Sequence, residues 1–109
     1  MSTTQLLDPP SPAQAAAALL RATLTPDRML YFIARHTSRS GRQEIGVFLW
    51  RPDGTPIDLS EPIAHALNLP LGREHGVVLP GDVIDPPLAL SVRLSRVCGF
   101  ADPLPYSWL

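Results

Sequence analysis

The chain of 109 residues contains no lysine, and its only cysteine is Cys98. All its fixed positive charge is therefore arginine: nine, against ten acidic residues, for a formal net charge of −1. A chain so near neutrality is not a bulk electrostatic binder of nucleic acid, whose affinity comes from neutralising many phosphates at once. Nor is it an acidic mimic of DNA, so any phosphate recognition must be local. One cysteine excludes an intrachain disulfide framework, and a reducing cytoplasm is the simplest setting. The longest apolar runs fall far short of the roughly 20 residues that span a bilayer, so no membrane association is expected. The opening "MSTTQLLDPPSPAQ" has no basic region ahead of an apolar core, and is not read as a secretory signal.

What is present is globular in character. Apolar residues make up 45% and charged residues 17%, too apolar and too weakly charged for intrinsic disorder. The length suits one domain. Residues 1–10 read as a loose arm and 11–109 as a single α+β domain: a small antiparallel sheet of three to four strands packed with two to three helices.

Ser11 before Pro12 is a helix-start signal, and "AQAAAALLRATL" follows with high helix propensity. Its bulk is mostly alanine, so it packs lightly on the body or faces a partner. "MLYFIARH" and "EIGVFLW" read as two strands, each apolar on both faces. Asp53-Gly54 marks a hairpin turn, and "TPIDL" a short third strand, placed at an edge or made irregular by Pro56. Ser60 reads as the cap of a second helix, "EPIAHALNL", ended by Pro70 and Gly72. Val77 to Leu79 form a brief strand. Residues 86–97 are ambiguous: the leucines alternate with serine and arginine as in a strand, whereas Asp85-Pro86-Pro87 is a helix start. The tail "ADPLPYSWL" is too rich in proline for regular structure, with Tyr106, Trp108 and Leu109 available to pin it.

The main candidate site is "RHTSRSGRQ" between the two long strands. Arg35, His36, Ser38, Arg39, Ser40, Gly41 and Arg42 combine forked guanidinium donors with hydroxyls and loop amides around a glycine, groups that suit an anion. The spacing is no phosphate-loop fingerprint, and a solvated hairpin connection accounts for the same residues. Gly81, Asp82 and Asp85 are the second candidate group. Paired carboxylates can hold Mg²⁺, but Asp85 also suits a helix cap and Asp82 a turn. His36, His65 and His75 match no zinc spacing, and neither metal nor cofactor is expected. A shared site of His36, Ser40 and Asp85 would make a small hydrolase or transferase. Cys98 reads as a buried structural thiol. Tyr31, Phe32, Phe48 and Trp50 read as core, with Trp50 the one closest to an edge.

"YFIARHTSRSGRQEIGVFLW" followed by "IDLSEPIAHAL" resembles a family of small bacteriophage and prophage proteins. Their hallmark is a strand running into "RHVSRSGMSR". A second strand, an "ISxxVAxAL"-like helix and a "GCGMDMG" segment leading into an amphipathic helix follow. The resemblance covers about Tyr31 to Ser95, with Gly81 and Asp85 matching in "GDVIDPPLALSVRLS". It departs where the family cysteine is Asp82, the next glycine is Val83, and the Met-Gly pair is Pro86-Pro87, so any chemistry of that cysteine is lost here. The resemblance implies a phage origin and a helix over 86–97; it supplies no activity. The leading expectation is an accessory protein, cytoplasmic in a bacterial host, that binds a host protein, with anti-defence inhibition one form of that role. The second is a nucleic-acid or nucleotide binder using Arg35–Arg42, and the third is the small enzyme. The oligomeric state is left open.

Overall fold

Ser11 and Asp85, the two polar residues that precede prolines at expected helix starts, both open helices. The computed structural model describes residues 9–34, 43–73 and 75–109. Helix α1, Pro12–Thr23, starts with a capping box in which the Ser11 hydroxyl accepts the Gln14 N–H and the Gln14 side chain accepts the Ser11 N–H. Only Ala16 and Leu20 within it are buried, and Leu19 is 54% exposed, the light packing its alanines predict.

Strands β1, Leu30–Ala34, and β2, Gln43–Trp50, pair antiparallel from Leu30 opposite Leu49 to Ala34 opposite Ile45. The turn after β2 holds Gly54 at φ 88°, where a side chain is strained. The Asp53 carboxylate accepts the Thr55 N–H at 2.9 Å. Strand β3, Pro56–Asp58, then pairs with the end of β2, helix α2 spans Ser60–Leu67, and β4, Val77–Leu79, pairs antiparallel with the start of β2. Ile45 is partnered by both Ala34 and Val77, and Leu49 by both Leu30 and Ile57. β3 and β4 therefore lie end to end along one edge of β2, with β1 on the other.

The gap between β3 and β4 explains Ser60. It does not cap α2 with its side chain: Leu59 holds the N-cap position, and the Asp58 carboxylate accepts the Ser60 N–H at 2.9 Å. The Ser60 hydroxyl instead accepts the Val47 N–H at 3.1 Å, while the Leu59 N–H donates to the Val47 carbonyl at 2.9 Å. The chain thus satisfies a strand whose neighbour has ended, as a buried backbone requires.

Helix α3, Pro86–Cys98, settles the ambiguous segment. Ser91 and Ser95, which made the alternation look strand-like, are buried donors. The Ser91 hydroxyl donates to the Leu104 carbonyl, and Ser95 to the carbonyls of Phe100, at 3.2 Å, and Asp102. They tie the tail to α3 and deliver it to the free edge of β1. There Tyr106–Trp108 form β5, parallel to β1, with the Tyr106 ring edge-to-face on Phe32 at 5.4 Å. The tail is therefore a strand, contrary to its proline content, because Pro103 and Pro105 precede the pairing residues. The fold is α+β as expected, but the sheet is mixed and five-stranded.

One core cluster joins all three helices to the sheet. Leu20 and Leu24, Ile63, Ala64 and Leu67, and Leu90, Leu94 and Cys98 meet Leu30, Phe32, Ile45, Val47, Leu49, Val77 and Leu79. The sheet residues among them alternate, so they share one face. Helices α2 and α3 pack on the strands and α1 packs against both of them, and the opposite face of the sheet has no helix among the described residues.

Candidate functional site

Arg35, His36, Ser38, Arg39, Ser40, Gly41 and Arg42 lie outside the described residues. The strands that hold the ends of this segment are described. Gln43, the first residue of β2, is paired with Leu79, the last of β4. The Arg35–Arg42 connection and the Gly81–Asp85 turn are thus rooted on neighbouring strand ends, at one end of the sheet. The side-chain oxygens Gln43 Oε1 and Glu44 Oε1 at this root are buried with no hydrogen-bond partner among the described residues. The Glu44 carboxylate lies against Gly72, so closely that a Cβ there would overlap it.

The Gly81–Asp85 turn is exposed, and each polar group in it has a local explanation or none. The Val83 N–H donates to the Pro80 carbonyl at 3.3 Å, and the Asp85 carboxylate accepts the Leu88 N–H at 3.4 Å as the cap of α3. Gly81 borders a shallow, largely apolar groove of about 230 Å³ lined by Leu69, Pro70, Val78, Leu79 and Pro80. No group of three His, Cys, Asp or Glu side chains among the described residues could hold a metal ion. His65 is exposed on α2, 3.8 Å from Glu61, and His75 sits in a left-handed turn at φ 64°. For a His36–Ser40–Asp85 site, two members lie outside the described residues and the third is a helix cap. Cys98 is buried, and burial pushes its thiol pKa up, opposed by the charge of Arg21; a thiol held protonated is a poor nucleophile.

The aromatics depart from expectation. Phe32 alone of the four is fully buried in the core. Tyr31, Phe48 and Trp50 occupy the alternate positions of β1 and β2, so they lie on the helix-free face, and all three are partly exposed. Tyr31 is directly opposite Phe48, and its ring meets Trp50 edge-to-face at 5.4 Å and 85°. Ile33 and Gly46 continue the same face, with Val78 and Asp58 on its border through their pairing with Glu44 and Phe48. Runs that are apolar on both faces look the same whether one helical layer covers the sheet or two, which is why the sequence reading put these rings in the core.

Charge is distributed unevenly along the sequence. From Arg28 to Arg51 the sequence holds five arginines and one acid, Glu44, while the rest of the chain holds four arginines and nine acids. Asp27 and Asp53 adjoin the two ends of that segment, where the charges of Arg28 and Arg51 act on their carboxylates. Arg28 and Arg51 are exposed and lie just beyond the paired end of β1 and β2. No helix of the described residues is long and apolar enough to cross a membrane. No family model, curated protein or solved structure matches this chain.

Proposed function

We propose that this chain is a small accessory protein of phage type that works by binding a host macromolecule, without chemistry of its own, in the cytoplasm of a bacterial host. The observation that carries the reading is the helix-free face of the sheet, with Tyr31, Ile33 and Trp50 partly exposed along two adjacent central strands. Exposed aromatic patches on small domains mark interaction surfaces, and aromatic and arginine side chains dominate binding energies. The phage-like motif "RHTSRSGRQ" supports the accessory role, and the solitary cysteine suits a reducing compartment. In this reading the groups nearest to a catalytic set serve the fold, with Asp85 as a cap and Cys98 as core.

A host protein, including a defence component, and a nucleic acid both fit a surface of this kind. The experiment compares wild type with Trp50→Ala and Tyr31→Ala, each verified to be folded by its melting transition. Partners are captured from host extract with and without nuclease, and identified as protein or nucleic acid. Loss of the wild-type partner in the face variants, with retention in an Arg96→Ala control on α3, is the expected result. A partner held equally well by all variants would move the binding surface elsewhere.

A further inference from the structure

We infer that the C-terminal arm, residues 103–109, exchanges between two copies of the chain, so that the β1 edge of each takes β5 of the other. Such an exchange goes beyond the binding reading and does not depend on it. Three features of the fold carry it.

The first is how the arm is attached. β5 is the outermost strand beside β1, so it can leave without breaking any other strand pairing. The Leu30 N–H donates to the Pro105 carbonyl at 3.1 Å, and the Leu109 N–H to the Phe32 carbonyl at 3.4 Å. The Tyr106 ring meets Phe32 at 5.4 Å, and the Leu104 carbonyl accepts the Ser91 hydroxyl. None of these contacts joins one arm residue to another, so a second copy regenerates every one of them. Exchange of an identical segment is for this reason a low-cost route to a dimer.

The second is what an opened arm uncovers. Leu30 and Phe32 are fully buried, and Leu104 is 2% exposed. Opening leaves these side chains facing water, together with the unpaired backbone groups of the β1 edge, so an empty slot is costly. The segment that fits the slot, with Tyr106 on Phe32 and Ser107 opposite Tyr31, is the arm itself. A second copy supplies an identical one.

The third is the hinge. Residues 99–102 join the end of α3 to the arm. They begin with Gly99 at φ 78° and bend at Ala101 and Asp102, directly before Pro103. Proline biases the residue before it toward extended backbone, which favours a straightened hinge with a reach of roughly 13 Å. Ser95 acts the other way. Its hydroxyl donates to the carbonyls of Phe100 and Asp102, both within the hinge. The bond to Asp102 belongs to the closed bend and is given up when the hinge straightens.

The test uses the full chain, refolded from denaturant over a range of concentrations and separated by size. A dimer fraction that grows with concentration is expected. In dimers prepared from mixed isotopically labelled and unlabelled chains, the contact of Tyr106 with Phe32 is expected as a nuclear Overhauser effect between copies. Three variants, each verified to be folded by its melting transition, separate exchange from mere loosening. Ser95→Ala is expected to raise the dimer fraction severalfold, because it removes a bond of the closed bend. Pro103→Ala is expected to lower it, because the hinge loses its bias toward extension. Ser91→Ala is expected to leave it unchanged, because the Leu104 carbonyl loses its donor in either form. A general loss of stability would move all three in one direction. A chain that stays monomeric at every concentration overturns the inference. So does a dimer in which Tyr106 and Phe32 meet only within each copy, or a dimer fraction that shifts the same way in all three variants.

Discussion

At the scale of single residues, several polar side chains do work unlike the work their type suggests. Asp85 is one of the candidate binding residues of the sequence, yet its carboxylate caps α3. Asp85→Ala is predicted to cost about 1 kcal/mol of stability, and Asp85→Asn close to nothing, because asparagine caps equally well. Chemical denaturation measures both; a large loss of stability in the Asn variant would show that the charge serves something beyond the cap. Asp53 makes a separate prediction. The Thr55 backbone N–H bonded to its carboxylate, aided by the Thr55 side chain, holds it below the ordinary value of 3.8. A depressed folded pKa adds stability that is fully present above the ordinary value and is lost as pH falls through the folded one. NMR titration is expected to find Asp53 ionising below 3.8, and Asp53→Asn to flatten the acid limb of the stability curve. An Asp53 that titrates at its ordinary value would contradict the turn geometry.

At the scale of elements, what the sequence made legible divides by range. The start of α1, the Asp53-Gly54 turn and the two long strands are written in neighbouring residues and were readable, whereas the start signal of α3 competed with a strand-like alternation that left the segment undecided. What was missed depends on distant partners. Ser60 spends its hydroxyl on Val47, thirteen residues back, and Ser91 donates to Leu104, thirteen residues ahead. The tail becomes β5 because α3 holds it, which no local pattern of "ADPLPYSWL" could announce. Ser91→Ala leaves the buried Leu104 carbonyl without its donor, at about 1–3 kcal/mol. The double change Ser91→Ala/Ser95→Ala is predicted to raise amide exchange in Tyr106–Trp108 and Leu30–Ala34 well before the α2–β4 region. Uniform loosening across the chain would instead mean that the serines support the whole core and have no special hold on the tail.

At the scale of the whole molecule, the decisive feature is that three helices cover one face of five strands. The candidate site was legible only in part. The motif residues Arg35–Arg42 and the Gly81–Asp85 turn were singled out, and the register of Gln43 with Leu79 roots both at one end of the sheet. The aromatic face was hidden in plain composition, since Tyr31 and Trp50 lie in runs that look buried on both sides. Layer number is a property of the assembled fold, and only the alternation of Leu30, Phe32, Ile45, Val47 and Leu49 against the rings reveals it. Trp50 carries an indole N–H that is buried without an acceptor among the described residues. Trp50→Phe sheds that group, so it is predicted to leave the melting temperature within a few degrees of wild type, whereas Phe32→Ala costs about 3–5 kcal/mol. A Trp50→Phe variant that unfolds as readily as Phe32→Ala would make Trp50 a core residue after all.

The central claim, that the molecule binds through its helix-free face, is tested most directly by amide chemical-shift mapping as the partner captured from host extract is titrated into the isotopically enriched protein. The account predicts that the shifts concentrate on Tyr31, Ile33, Gly46, Phe48 and Trp50, with Arg28 and Arg51 at the border, and leave Leu88 to Val97 of α3 unmoved. Shifts confined to α3 or to the Gly81–Asp85 turn would contradict it.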